Sequence, residues 1–149
     1  MILTLAISSS LIDDRLLVAR LVGERVRLPK VGLATTSYWY YRACRAAVVG
    51  GAGQLSGPFA LLEASEQAAA ILAMLRLPDD VSLPDPRALV PVMAAMHQRH
   101  PQLNVMNVEA AAAAMLLDAR VLLSVPATEG VLPTILDEER IPWRVVSVG

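Results

Sequence analysis

Residues 105–148 constrain the fold more than any other part of this sequence. They run VEAAAAAMLLD (108–118), VLLSV (121–125), a short segment with Leu132, Ile135 and Leu136, and WRVVSV (143–148). The first reads as an alanine-rich helix capped by Asn107. Alanine loses no side-chain entropy in a helix and lets it approach a sheet closely. The second and fourth are short apolar runs of the kind buried on both faces of a sheet. The third reads as a short helix starting at Thr128 with Pro133 in an early turn. Helix, strand, helix, strand with short connections is the order of α/β proteins, whose sheets are mostly parallel and covered by helices. The expectation is a three-layer α/β/α sandwich in one domain spanning 1–149, since 149 residues leave little room for a second.

The rest of the chain fits that plan. ILTLAI (2–7) reads as a further buried strand. Ser10 and Asp13 resemble a capping box, and Leu11, Ile12, Leu16, Leu17 and Leu21 give helical spacing up to Val22 before Gly23. Residues 25–35 leave two readings open, an extended segment around 25–28 or an ordered one at 31–34. Thr35, Thr36 or Ser37 caps a helix over 37–49 that gathers nearly all the aromatic residues. GGAGQLSG (50–57) is a connection. A helix with Ser56 as cap and Pro58 in its first turn runs to Leu75. Residues 77–86 form a turn-rich linker with room for a short element at 81–83. Asp85 and Pro86 open a helix to Pro101 that must accommodate Pro91.

Composition excludes several classes. Hydrophobic residues make up 55% and charged residues 18%, which excludes a disordered chain. The 13 basic and 14 acidic residues give a net charge of -1, so overall charge does not argue for nucleic acid or an anionic membrane. Seven basic residues against Glu24 alone over 15–45 nonetheless predict an electropositive end. One cysteine, Cys44, excludes an intramolecular disulfide and a cysteine zinc cluster. The first residues lack the basic, apolar, small-residue order of a secretory signal, and no run is long enough to span a bilayer. The expected location is the cytoplasm.

No motif carries chemistry on its own. In an open α/β sheet, ligands sit beyond the carboxyl ends of the strands. On this reading those ends carry Ser8–Ser10 and Ser124–Val125, hydroxyls and an aliphatic side chain where a metal nuclease needs carboxylates. Ser8–Ser10 reads as a cap and turn, because no base and no G-x-S-x-G elbow accompanies them. His97 and His100 are two imidazoles without further ligands, which reads as surface or helix-end histidines. The glycines of 50–57 lack the lysine of a P-loop. Tyr38, Trp39, Tyr40 and Tyr41 are consecutive. A helix turns about 100° per residue, so they cannot all face one core. Packing, a protein interface and stacking on unpaired bases are the readings for them.

Three stretches, NVEAAAAAMLLDARVLLSVPATEGVL (107–132), LAISSSLI (5–12) and LATTSYWYYRACRA (33–46), resemble the PIN domain, the fold of many prokaryotic toxin ribonucleases. The resemblance implies a PIN-like sandwich and, in active members, Mg²⁺ or Mn²⁺ held by three or four carboxylates. Carried over, those positions fall at Ile7 or Ser8, at Tyr40 or Tyr41, at Asn107 and at Val125, and none is acidic. Glu109 and Glu129 lie nearby as alternative carboxylates. Asp13 and Asp14 are expected a turn or more into the first helix, away from the strand end. The resemblance therefore implies a catalytically silent, regulatory PIN-like domain with no cofactor, acting through protein contacts. A homodimer is expected, with Tyr38, Trp39 or Tyr40 at its interface and Arg42 toward the rim. A small regulatory protein is the other candidate for the same patch. The alternatives are a Mg²⁺- or Mn²⁺-dependent ribonuclease of the toxin type with a non-standard site, and a metal-free RNA-binding module.

Overall fold

The computed structural model describes residues 9–49 and 55–149. The strand expected at 2–7, Ser8 and most of the glycine-rich connection lie outside them. Among the described residues five strands form one sheet: β1 (Ser10–Ile12), β2 (Leu33–Ala34), β3 (Val81–Ser82), β4 (Arg120–Leu123) and β5 (Trp143–Val145). Their order is β3-β2-β1-β4-β5, and every neighbouring pair is parallel. The helices between them are α1 (Asp14–Val22), α2 (Ser37–Val49), α3 (Gly57–Ala60), α4 (Ala64–Leu75), α5 (Pro86–Arg99), α6 (Val105–Leu117) and α7 (Leu132–Glu138).

Strand alternation divides the core into the two halves of an α/β/α sandwich. Leu11, Ala34, Val121 and Leu123 face one side, where α5, α6 and α7 bring Leu89, Met96, Ala110–Ala114, Ile135 and Leu136. Ile12, Leu33, Val81 and Leu122 face the other, where Leu16 and Leu17 of α1, Ala43 and Ala47 of α2, Phe59 and Met74 pack. Successive side chains on a strand point to opposite faces, so runs buried on both sides must be apolar throughout. Helix α6 is unusual in burying five consecutive alanines, Ala110 to Ala114, around its whole circumference. Small side chains let neighbouring elements enclose this part of the helix on all sides.

Several expectations need correction. Leu11 and Ile12 belong to β1, not to the first helix. Asp13, in extended backbone, ends the strand and caps α1 by accepting from the Leu16 amide at 2.9 Å. The helix expected from Ser56 to Leu75 is two, α3 and α4, because the chain turns at Leu61–Glu63. Helix α6 starts three residues before expectation. Asn104, not Asn107, is its cap, with Oδ1 accepting from the Asn107 amide at 2.9 Å. The segment read as a helix from Thr128 opens instead with a 3₁₀ turn, Val125–Glu129, and α7 follows. The last strand stops at Val145, and Val148 makes an isolated antiparallel bridge with Val26. Helix α5 continues through Pro91. The carbonyl that a proline there leaves without a helical donor is that of Arg87, on an exposed residue where the loss is cheap. No helix among the described residues is long and apolar enough to cross a membrane.

Candidate functional site

The sheet order reverses at β1, with β2 on one side and β4 on the other. The carboxyl ends of parallel strands at such a reversal are where open α/β sheets leave a crevice. Here it is a cleft of about 730 Å³. One wall is the start of α1, with Asp14 and Arg15. A second is the segment after β4, with Ser124, Pro126 and Ala127. The third is a face of α2 bearing Tyr38, Tyr41, Arg42, Arg45 and Val49. Their spacing of three to four residues puts these five in one stripe along the helix.

The amino end of α2 is fixed from two sides. Thr36 accepts from the Trp39 amide at 3.0 Å through its hydroxyl oxygen. Glu109 reaches across from α6, and its Oε1 accepts from the Tyr38 amide at 2.9 Å. A carboxylate at a helix amino terminus meets both unsatisfied amides and the positive end of the helix dipole. Glu109 is only 8% exposed. This carboxylate serves the architecture of α2.

Asp13 serves it too. It is fully buried, and besides the Leu16 amide it accepts from the Ser124 amide at 2.9 Å and the Ser124 hydroxyl at 2.6 Å. It thereby ties the start of α1 to the end of β4. Burial pushes its carboxyl above the usual range, against the downward pull of these hydrogen bonds. Asp14 faces the cleft, where the Arg42 Nε lies 2.8 Å from its Oδ2. Burial again pushes the carboxyl up, and the Arg42 charge opposes that shift.

The expected site residues are dispersed. Ser8 is outside the described residues. Asp13 and Asp14 stand at the end of β1, not a turn away from it, which corrects their placement. Asn107 is half-buried within α6, and Val125 opens the 3₁₀ turn with an exposed side chain. Glu129 is exposed at the end of that turn. Trp39 is 3% exposed and packs in the core beside Leu11 and Ala34, so it is not available at the surface of the monomer. Tyr40 is half-buried and donates its hydroxyl to the Met74 carbonyl at 2.8 Å. The exposed aromatics are Tyr38 and Tyr41, whose rings meet edge to face at 6.2 Å. His100 caps α5 and sits 2.7 Å from Glu139, which Arg99 also grips.

The basic segment also differs from expectation. Arg15 is held by Glu24 through its Nη1 and Nη2, Arg20 by Asp80, and Arg42 by Asp14. Only part of the expected positive field is therefore free of internal partners.

These residues do not fit a divalent cation. Among the described residues no group of three or more His, Cys, Asp or Glu is placed to hold a metal ion. Residues 1–8 and 50–54 contain none of those four types. A hard cation needs several oxygen ligands with negative charge to spare. Here Asp13 is committed to Ser124, Glu109 to α2 and Asp14 to Arg42. The sequence signal for this arrangement was the SLIDD run, three strand residues followed by adjacent acids. Nothing local announced Arg42 as their counter-charge.

No family model matches the chain, and no curated protein matches it. Among solved structures, that of VapBC-1 from nontypeable Haemophilus influenzae is similar in fold, with a TM-score of 0.51. The match covers 91% of this chain and 96% of that chain at 12% sequence identity. At that identity the likeness concerns the fold, which is an α/β/α sandwich on a parallel sheet with PIN-like layout.

Proposed function

We propose that this chain is a catalytically silent PIN-like domain that acts through protein contacts and self-associates as a homodimer. The observation that carries the reading is the Arg42 guanidinium on Asp14 at the strand-end cleft. A guanidinium there balances the charge of Asp14, the carboxylate lining the cleft among the described residues, and opposes the approach of a metal ion. The remaining carboxylates that resemblance to nucleases brings into consideration, Glu109 and Glu129, do not remedy this. Glu109 is bound to a backbone amide, and Glu129 is exposed on the 3₁₀ turn. Self-association has support in an apolar groove of about 260 Å³ on α5 and α6, flanked by the exposed Val90 and Val105. Apolar surface of this kind is what two copies of a small hydrophobic chain bury on pairing.

Calorimetry with Mn²⁺, together with incubation of single-stranded RNA in the same buffer, tests the silent reading. The expected result is no stoichiometric metal binding and no metal-dependent cleavage. Micromolar binding at one ion per chain, lost in Glu109→Gln, overturns the reading and restores a nuclease.

A further inference from the structure

Resting on the reading of a silent contact domain, we propose that the strand-end cleft docks an acidic segment of a partner protein, one in which carboxylates alternate with aliphatic side chains. The charge of the lining points that way. Three guanidiniums, Arg15, Arg42 and Arg45, meet one carboxylate, Asp14. Arg15 is engaged by Glu24 outside the lining. Arg42 uses its Nε on Asp14 and keeps Nη2 without a partner among the described residues. Arg45 is exposed and makes no ion pair among the described residues. Residues 1–8 and 50–54 contain no acid that could supply one. The unpaired charge of Arg45, and beside it the Nη2 edge of Arg42, whose charge Asp14 balances, are thus open on one face of α2 to an anion from outside the chain.

Spacing and lining select the kind of anion. Residues three apart on a helix have Cβ atoms about 5–6 Å apart. Alternate residues of an extended chain lie about 6.6 Å apart. Carboxylates at alternate positions therefore reach both residues together, Arg45 through the two parallel hydrogen bonds of a guanidinium–carboxylate pair and Arg42 through its Nη2. Between and beside the arginines the lining is apolar, with Val49, Leu55, Met106 and Pro126, and Tyr41 stands exposed at the edge. Aromatics, methionine and arginine are the types that concentrate at protein interfaces. A nucleic-acid backbone fits less well. It carries a charge at every nucleotide and needs a run of cations, whereas this cleft offers Arg45 and one edge of Arg42 beside apolar lining.

Fluorescence polarisation on the full chain tests the assignment. The probes are labelled decapeptides alternating glutamate with leucine, or lysine with leucine, and a labelled oligouridylate of the same length. The proteins are wild type, Arg45→Glu, and Arg144→Glu as a control of equal charge change on exposed β5. Circular dichroism verifies that both variants fold. The expected result is micromolar binding of the glutamate–leucine peptide alone, weakened about tenfold by Arg45→Glu and little by Arg144→Glu. Equal binding of the lysine peptide, tighter binding of the oligouridylate, an equal loss in both variants, or no peptide binding overturns the proposal. Failure here without metal-dependent RNA cleavage removes this inference alone. Such cleavage removes the silent reading beneath it.

Discussion

Replacing Asp13 tests how the strand-end cleft is held together. In Asp13→Ala, helix α1 loses its side-chain cap, worth about 0.5–2 kcal/mol. The buried Ser124 amide loses its acceptor, which costs about 1–3 kcal/mol. Relief from burying a carboxylate offsets part of this, so the net loss is roughly 1–4 kcal/mol. With a urea dependence of about 2 kcal/mol per molar, the unfolding midpoint falls by about 0.5–2 M. Asp13→Asn isolates the charge. The folded-state pKa of Asp13 is raised, so between its unfolded and folded values the native state binds more proton than the unfolded state. The contribution of Asp13 to stability therefore falls as pH rises through that window and is flat beyond it. Asparagine has no such dependence. Urea midpoints of wild type and Asp13→Asn are measured side by side from about pH 3 to pH 7. The stability of wild type relative to Asp13→Asn declines with rising pH. A difference that is constant, or that grows in favour of wild type, refutes desolvation as the dominant influence on this carboxyl. A loss well under 1 kcal/mol in Asp13→Ala refutes the tie itself.

Two further outcomes follow from the same geometry. A double-mutant cycle over Arg42→Ala and Asp14→Asn, read by urea unfolding, gives a favourable coupling of about 0.5–1 kcal/mol, because Arg42 is nearly half exposed and solvent screens the pair; additive effects show that the ion pair does not hold. Light scattering at two concentrations gives about twice 16.0 kDa for wild type and a monomer for Val105→Asp, which places a charge in the apolar groove; a wild-type species of 16.0 kDa at high micromolar concentration removes the homodimer.

Parts of this architecture were legible in the sequence because local signals agreed with tertiary packing. Strands β4 and β5 sit within the apolar runs that predicted them, since both faces of a central parallel sheet demand unbroken apolar residues. Helix α2 has the expected bounds because Thr36 stands where a cap is needed. The segment from Ser10 to Asp14 differs from expectation for a physical reason. In three residues, Ser10–Ile12, a period of two and a period of 3.6 cannot be told apart, and Leu11 and Ile12 extend the apolar spacing of α1. The adjacent acids were then counted into the helix, although Asp13 ends the strand. Asn104 and Asn107 illustrate a second limit, as either can cap a helix and packing selects between them. Trp39 shows a third. Four consecutive aromatics guarantee some exposure, yet which rings turn outward is set by the position of α2 against the sheet. Trp39 entered the core, while Tyr38 and Tyr41 stayed outside.

The pair of Arg42 and Asp14 links these observations. Acids gathered at the ends of parallel strands repel one another and, once desolvated, resist ionisation, as the raised pKa values of Asp13 and Asp14 show. A bound cation is one way to stabilise such a cluster. This chain has another, a guanidinium carried on α2 and aimed at Asp14, with Ser124 and the amide of Tyr38 engaging the acids behind it. The counter-charge is covalently part of the fold. Arg45, one turn further along α2, then leaves the cleft with more positive than negative charge. The cleft at the strand ends is therefore held by charges of the chain's own residues, and arginine outnumbers carboxylate in its lining.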